Sequence, residues 1–238
     1  MTSVLTDESV LDAAAWHSLT TNHAWLSESH GEVRRYRSDV SPFTALPPEP
    51  TAEAWRDLAE LAGPGTDVVL AGNTAPPPAD WSVVAQIAGV QFVATDAVLG
   101  LRDQEAVRLG PADAAEMLTL AERTQPGPFR KNTYLFGNYW GIRRDGELIA
   151  MAGQRLNPPG WAEISAVCTD DRFRGQGLAS RLIATVVNGI RQTGATPFLH
   201  TSATNTNAIR LYEALGFRLR KQTVFGALRT PGEPVDQA

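Results

Sequence analysis

The sequence predicts a mixed α/β (α+β) fold in which a central sheet is flanked by helices. Short β-branched segments alternate with longer segments whose apolar residues recur at helical spacing, and glycine or proline separates them. The pair Asp145-Gly146, between two apolar segments, indicates a tight hairpin and therefore antiparallel strands. With 238 residues, of which 43% are hydrophobic, the chain is long enough to bury the core that such a sheet needs.

The first half of the chain predicts a short series of elements. A loose apolar stripe indicates a helix from Leu11 to Ser27. Thr51 is a candidate N-cap for a second helix, which Gly63-Pro64-Gly65 would end. The predicted strands of this half are 32–36, 68–71 and 83–94, and Gly89 leaves open that the last of these is two strands. No chemical motif is recognisable among these elements.

The second half predicts a longer series in the order β-α-β-β-β-α-β-α-β. Its first helix opens at Pro111, a residue that is favoured at the first helical position. The other two predicted helices span 178–192 and 205–215, and glycine follows each of them. The predicted strands are 106–109, 139–143, 147–155, 162–169 and 197–201, and 218–228 supplies the last strands.

The charge of the chain is unevenly distributed. The net charge is −5, which argues against general nucleic-acid binding because that function needs a basic surface. Residues 1–105 hold 15 acidic and 5 basic side chains, whereas residues 106–238 hold 11 and 16. This asymmetry suggests that the second half meets an anion, although a difference between two solvated surfaces gives the same numbers.

Features that the sequence lacks bear on where the protein is located in the cell and on whether it binds a metal. Cys168 is the single cysteine, which excludes an internal disulfide framework and a cysteine-cluster zinc site. No apolar run approaches the roughly 18–20 residues of a membrane-spanning helix. The opening residues 1–8 lack the basic start and apolar centre of a signal peptide. We therefore expect a cytoplasmic protein without a membrane association or a bound metal.

The segment from Arg174 to Ala179 lies between a predicted strand and a predicted helix. Gly175 and Gly177 allow backbone N–H groups to turn outward and let a ligand approach without a Cβ in the way. The unpaired N–H groups at the start of the next helix point to the same place. A diphosphate would fit such a turn, and Arg172, Arg174 and Arg181 add positive charge nearby. A plain glycine-rich turn is the alternative.

Two motifs together resemble the GNAT superfamily of acyl-CoA-dependent N-acyltransferases. The family's cofactor loop, Gln/Arg-x-x-Gly-x-Gly/Ala, is matched at Arg174, Gly177 and Ala179. A second register that starts at Arg172 also fits, and the first is preferred because it places 181–183 in the family's helix position. No Gly-Lys-Ser/Thr follows the loop, and Ser180 replaces the third glycine of a dinucleotide motif, so neither of those sites is predicted. Downstream, the family motif Asn-x-x-Ala-x-x-x-Tyr-x-x-x-Gly-Phe is matched by the residues Asn205, Ala208, Tyr212, Gly216 and Phe217.

The resemblance covers about residues 105–228 and is most similar to the two-lobed branch related to glycine N-acyltransferase. It implies a GNAT domain at 105–238 with a mostly antiparallel sheet whose central strands splay apart. Residues 1–104 would then form a smaller, degenerate GNAT-like lobe. The segments that carry this likeness are 126–129, 150–153, 165–169 and 197–200.

The resemblance also implies the cofactor and how it is held. The family transfers an acetyl group from acetyl-CoA to a primary amine by direct attack in a ternary complex, without a metal or an acyl-enzyme. The pantetheine would pair with a central strand like an additional strand. A main-chain N–H near Val167 or Cys168 would polarise the thioester carbonyl. The implied cofactor-binding residues are Val167, Cys168, Thr169, Arg174, Gly175, Gln176, Gly177, Leu178, Ala179, Ser180, Asn205 and Tyr212.

The resemblance supplies candidates for proton transfer. Tyr212 matches the family tyrosine that donates to the departing thiolate, and packing of its ring in the core is the alternative. Glu163 lies where the histone acetyltransferase branch carries its base, and His200 lies where the ribosomal-protein acetyltransferases carry theirs. Water is the third candidate for the base, and both side chains have structural alternatives. Asn205 would contact the pantetheine or cap its helix. Cys168 is interpreted as small filler in a strand.

The acceptor pocket is expected after the first helix of the second half. Phe129, Tyr134, Tyr139 and Trp140 would line it, with Arg155 and Phe198 opposite, although plain packing would use the same aromatic residues. The predicted acceptor is a small amine or amino acid. A protein N-terminus or lysine is the alternative, and a CoA-binding module without turnover is the alternative from another class. The predicted assembly is a monomer or homodimer.

Overall fold

A mixed sheet runs through the computed structural model, which describes residues 7–72 and 75–232. Residues 1–6, part of the segment used above to judge a signal peptide, lie outside that description. The eleven strands of the sheet are Ser27–His30 (β1), Val33–Tyr36 (β2), Phe43–Ala45 (β3), Asp67–Ala71 (β4), Ser82–Ala94 (β5), Val107–Arg108 (β6), Trp140–Arg144 (β7), Glu147–Gln154 (β8), Trp161–Thr169 (β9), Thr196–Ser202 (β10) and Phe217–Arg229 (β11). The α-helices of the described residues are Ala14–Thr20 (α1), Ala52–Ala62 (α2), Ala114–Thr124 (α3), Leu178–Gln192 (α4) and Thr206–Ala214 (α5).

The order of strands across the sheet is β1-β2-β3-β4-β11-β5-β10-β9-β8-β7-β6. Among the described pairs, β3–β4 and β9–β10 are parallel, and the others are antiparallel. The prediction of a mixed, mostly antiparallel sheet flanked by helices is therefore confirmed. None of the described helices combines the length and the apolarity needed to span a bilayer.

Local signals placed several elements correctly. The hydroxyl of Thr51 accepts a hydrogen bond from the Ala54 N–H at 3.1 Å and so caps α2. Asp145 and Gly146 both adopt left-handed backbone angles, with φ of 49° and 83°, and they join β7 to β8 as a tight hairpin requires. Helix α4 begins at Leu178 and ends at Gln192, as the stripe predicts.

The predicted helix from Leu11 to Ser27 is wrong in extent. Only Ala14–Thr20 is α-helical, and short 3₁₀ turns precede and follow it at Glu8–Ala13 and Ala24–Leu26. The stripe was too loose to bury one continuous face, and Trp25 is left 60% exposed. The chain therefore turns after Thr21 and enters β1.

Strand β5 ties the two halves of the chain together. It comes from the predicted first lobe, yet it lies between β10 and β11 of the second half and pairs with both. Strands from both sides of the predicted boundary between residues 104 and 105 therefore belong to one continuous sheet. The division into domains 1–104 and 105–238 stays a prediction.

Side chains of the central strands alternate between two cores. On one face, Phe198 and Val93 pack under α1 and α3; on the other, Leu199 and Phe92 pack under α4 and α5. A smaller third core lies under α2. Because successive strand residues point to opposite faces, two neighbours in sequence can belong to different sites.

Gly153 in β8 leaves space for a buried aromatic ring. A Cβ at this position would lie 2.3 Å from the Tyr139 ring, and Tyr139 is only 1% exposed. Gly153→Ala is therefore expected to destabilise the fold by about 1–3 kcal/mol through overpacking. Gly226→Ala in β11, where a Cβ meets no atom within 4 Å, is the control. Urea unfolding of both variants checks this, and equal stabilities would contradict the packing argument.

Candidate active site

Strands β9 and β10 separate toward their carboxyl ends. Their register joins Trp161–Ile164 to Thr196–Leu199, although β9 continues to Thr169 and β10 to Ser202. A β-bulge distorts β9 in the same stretch. Cys168 pairs with Met151 and Ser165 with Gly153, so β9 has two residues between these pairs where β8 has one. Ala166, inside the bulge, has a φ of 53°. The sheet therefore opens between two central strands, as the predicted splay requires.

The loop after β9 leads directly into α4 and is exposed. Gly175 and Gly177 have φ values of 78° and 70°, which favour glycine. A Cβ on either glycine would meet no atom within 4 Å, so the turn faces open space. Helix α4 has 15 residues, and no side chain caps its N-terminus at Gly177. Its first N–H groups and its dipole can therefore receive an anion.

The arginines around this loop are paired with carboxylates. Arg172 binds Asp170 and Glu147, Arg174 binds Asp171, and Arg181 binds Asp103 and Glu105, at distances of 2.6–2.9 Å. Carboxylates therefore offset much of the positive charge that Arg172 and Arg181 bring to the turn, and the expected attraction of an anion to them stays a prediction. Arg174 is 61% exposed and its partner Asp171 is 75% exposed, so this pair opens at little cost.

The end of β9 carries an enclosed polar atom without a partner. The hydroxyl of Thr169 is buried and has no hydrogen-bond partner among the described residues. A ligand that enters along β9 could satisfy this group, since buried hydroxyls are normally paired. The neighbouring Cys168 points into the opposite core, and burial raises the pKa of its thiol to about 11. Cys168 is therefore filler rather than a nucleophile.

Glu163 and His200, predicted as alternative bases, are bonded to each other. His200 Nδ1 lies 2.7 Å from Glu163 Oε1, and Arg155 donates to both oxygens of the same carboxylate at 2.6 and 2.9 Å. The Leu156 N–H donates a further bond. Burial alone would raise the pKa of Glu163, but the Arg155 ion pair and the bonds from Arg155 and His200 outweigh it and hold that pKa well below its usual range. The carboxylate is fully buried and stays ionised.

This cluster continues across the sheet into the first half of the chain. The side-chain amide nitrogen of Gln91 in β5 lies 2.9 Å from His200 Nε2 and also donates to the Leu11 carbonyl. The Gln91 oxygen accepts from Arg220 in β11 at 2.8 Å, which fixes the orientation of the amide. His200 Nε2 is therefore placed to accept from the Gln91 amide, and Nδ1 to donate to Glu163 Oε1. We call the series Arg155–Glu163–His200–Gln91–Arg220 the polar row.

Tyr212 and Asn205 lie on α5, on the other side of the sheet. Tyr212 is 7% exposed and packs between Phe92 and Phe217. Burial raises the pKa of its phenol to about 12, and its hydroxyl has no hydrogen-bond partner among the described residues. The Asn205 side chain accepts a hydrogen bond from the Ala208 N–H at 3.1 Å and so caps α5. Helix capping, the alternative to pantetheine binding, is therefore observed for Asn205. Tyr212 and the polar row face opposite cores.

The residues expected around an acceptor lie together, with one exception. Phe129 meets Tyr139 edge to face at 5.9 Å, and Phe198 meets His200 at 5.7 Å, all in the core under α1 and α3. Tyr134 packs half-buried against the same core. The Tyr139 hydroxyl is enclosed and unpartnered among the described residues. The expectation for Trp140 is wrong, because it follows Tyr139 on the strand and points to the opposite face.

Sequence reasoning missed Gln91 and Arg220. Gln91 is a polar residue inside the apolar segment 83–94, and a buried polar group in a strand needs partners. The polar Gln91 within this apolar strand was the one sequence feature that could have indicated a buried polar cluster. It did not reveal the partners, which lie more than 100 residues away in the chain. Among the described residues, no group of three or more His, Cys, Asp or Glu side chains is placed to hold a metal.

Comparison with known proteins identifies similar chains. The family model of FR47-like proteins matches residues 139–226. A solved structure from Novosphingobium aromaticivorans, assigned to the GNAT family of acetyltransferases, has 38% identity and a TM-score of 0.84, covering 93% of this chain and 99% of its own. A GCN5-related N-acetyltransferase from Kribbella flavida has 17% identity and a TM-score of 0.60, covering 93% and 96%. No protein of curated function matches the sequence.

Proposed function

Because this chain belongs to the GNAT family of acetyltransferases, we propose that it transfers the acetyl group of acetyl-CoA to a primary amine of a small molecule or amino acid. The observation that carries the proposal is the open glycine turn at the point where β9 and β10 separate. It puts an anion-binding helix terminus beside two strand edges that no longer pair with each other. Direct attack of the amine on the thioester is the proposed reaction.

Backbone groups do most of the cofactor binding in this proposal. The N–H groups of 174–180 hold the diphosphate, and the pantetheine arm lies along β9 at Val167–Thr169, as an added strand would. The unpartnered Thr169 hydroxyl fits a ligand in this position. A backbone N–H near Val167 or Cys168, in the bulged part of β9, polarises the thioester carbonyl.

The binding part of the proposal is tested by a pair of glycine variants. Gly177→Ala is expected to weaken acetyl-CoA binding about tenfold or more, because a methyl group would enter the turn and strain a left-handed residue. Gly146→Ala in the β7–β8 hairpin is the control, since its φ of 83° gives the same backbone strain in open space. Calorimetric titration with acetyl-CoA measures both. Equal affinities would contradict the proposed diphosphate site.

The polar row positions the strands in this proposal, and water takes the ammonium proton. Glu163 already accepts from Arg155, His200 and the Leu156 N–H, and its lowered pKa makes it a poor base. His200 Nε2 already accepts from Gln91, and the side chain is only 7% exposed. Both groups instead join β9 to β10 where the two strands begin to separate, since Glu163 lies inside the paired stretch and His200 directly follows its last residue, Leu199.

The pH dependence of a His200 variant checks this assignment. His200→Gln is expected to keep the ascending limb of the wild-type pH–rate profile, because the imidazole does not receive the proton. We also expect a lower unfolding temperature, since the bond to Glu163 Oε1 is disturbed. Loss of the ascending limb together with a rate drop of about a hundredfold would identify His200 as the base instead.

Residues 1–104 act as an N-terminal lobe in this proposal, as in the branch related to glycine N-acyltransferase. Support comes from β5, which supplies the strand between β10 and β11, and from Gln91, which completes the polar row. The 3₁₀ turn at Glu8–Ala13 adds Asp12, which binds Arg220 and Lys221 at 2.8 and 2.6 Å. The lobe would therefore set the geometry of the acceptor side.

A further inference from the structure

A cavity of about 490 Å³ opens on the α4 side of the sheet. Arg102, Arg108, Trp140 and the amide side chains of Asn138, Gln154 and Asn188 line it, and we call it the Trp140 cleft. Gly189, which also lines it, lies twelve residues after Gly177 on the helix, or about 18 Å at the helical rise. The cleft is thus separate from the loop assigned to the diphosphate.

The indole of Trp140 is held in place by Asn138. Its Nε1–H donates to Asn138 Oδ1 at 2.8 Å. Asn138 has a φ of 50°, a left-handed conformation that asparagine adopts more readily than most residues. Gly189 leaves the space that Asn138 occupies, because a Cβ there would lie 2.7 Å from Asn138 Nδ2. The ring that forms one wall of the cleft is therefore fixed in orientation.

Two arginine side chains line the cleft and form no ion pair with a described residue. The guanidinium carbons of Arg102 and Arg108 lie 5.4 and 5.6 Å from the centre of the Trp140 ring. Neither side chain has an ion pair or hydrogen bond to another described residue, in contrast to Arg181 and Arg144, which bind Asp103 and Glu105. The other polar lining groups are neutral amides and threonines. An anion would meet attraction here from both guanidinium groups.

We propose that the Trp140 cleft binds a small organic anion that carries two or more carboxylate groups. Guanidinium groups pair with carboxylates through parallel hydrogen bonds, and the surrounding amides can donate to or accept from the rest of the ligand. The volume suits a small organic molecule. The C-terminal end of α4 lies nearby and carries about half a negative charge, which two full positive charges outweigh. This inference does not depend on the proposed acetyl transfer.

Calorimetric titration with citrate, at constant ionic strength, tests the proposal. The wild type is expected to bind one citrate saturably. Arg102→Ala and Arg108→Ala are each expected to weaken binding about tenfold or more, and the double variant to abolish it. Arg56→Ala is the control, since Arg56 is an exposed arginine of α2 without an ion pair among the described residues. The unfolding temperatures of all variants should stay at the wild-type value, because these side chains are exposed.

Four outcomes would overturn the proposal. Absence of saturable heat with citrate at about 10 mM would show that the cleft does not bind such anions. Unchanged binding in the double variant, or displacement of citrate by CoA, would place the anion elsewhere. Inorganic phosphate binding as tightly as citrate would remove the carboxylate assignment, because one small phosphate cannot use the full cleft.

Discussion

Replacing Glu163 with glutamine is expected to lower the free energy of unfolding by about 3–5 kcal/mol, the usual loss when one partner of a buried ion pair is removed. Arg155 is only 9% exposed, and its guanidinium also lies 5.0 Å from the centre of the Phe43 ring. Without the Glu163 carboxylate this buried cation has no counter-ion. The neutral glutamine also removes the charged acceptor of the His200 Nδ1 proton.

An exposed pair of the same geometry provides the control. Arg229 binds Asp67 through two nitrogens, as Arg155 binds Glu163, but those side chains are 52% and 45% exposed. Asp67→Asn is therefore expected to change the free energy of unfolding far less. Urea unfolding near neutral pH compares the two variants. If both variants lose a similar free energy of unfolding, burial does not increase the contribution of the Glu163–Arg155 pair to stability.

The same pair makes stability depend on acidity. Because the pKa of Glu163 is lower when folded than its unfolded value of 4.5, its contribution is fully present above pH 4.5. It is lost as the pH falls from there toward the lowered pKa. The wild type is therefore expected to lose stability more steeply below pH 4.5 than Glu163→Gln. Parallel acid slopes would contradict an ionised, buried Glu163.

Replacing Tyr212 with phenylalanine is expected to lower kcat about a hundredfold, the effect of removing one hydrogen-bond donor from a developing anion. The ring still packs between Phe92 and Phe217, so the fold and the KM for acetyl-CoA should change little. Because burial raises the phenol pKa to about 12, Tyr212 stays protonated at working pH. That pKa favours donating a hydrogen bond to the thiolate over giving up the proton.

The control for this variant is another buried tyrosine. Tyr36 is 1% exposed, and its hydroxyl bonds His23 Nδ1 at 3.0 Å, far from α5 in the sequence. Tyr36→Phe removes one buried hydroxyl and is expected to leave kcat unchanged. Steady-state rates over a range of pH compare the two. If Tyr212→Phe keeps the wild-type kcat, the donor role is wrong and Tyr212 only packs.

Elements with local signals were predictable from the sequence. The cap at Thr51, the hairpin at Asp145-Gly146 and the whole of α4 depend on residues a few positions apart. The glycine turn before α4 belongs to this group, because the need for left-handed angles is local. The position of β5 does not belong to it. Its apolar pattern predicts a strand, but the partner strands are chosen by long-range packing.

The candidate site shows the same division. The family resemblance made Glu163, His200 and Tyr212 separate candidates for proton transfer. Their spacing in the sequence could not show that Glu163 and His200 bind each other. The charge asymmetry has a second cause beside the predicted anion. Acids of the first half pair with arginines of the second, as Asp103 does with Arg181 and Asp67 with Arg229. Part of the asymmetry is therefore charge complementarity inside the fold, and the expectation of an anion on the second half stays a prediction.

The most direct test of the whole account is amine-dependent thiol release. The purified protein is incubated with acetyl-CoA and a panel of small amines, amino acids and peptides, and free CoA is measured alongside the mass of each amine. An acetyltransferase is expected to release thiol with at least one small amine or amino acid and to form an equal amount of its N-acetyl product. Tight binding of acetyl-CoA without release of free CoA in the presence of any amine in the panel would contradict acetyl transfer and identify a CoA-binding module instead.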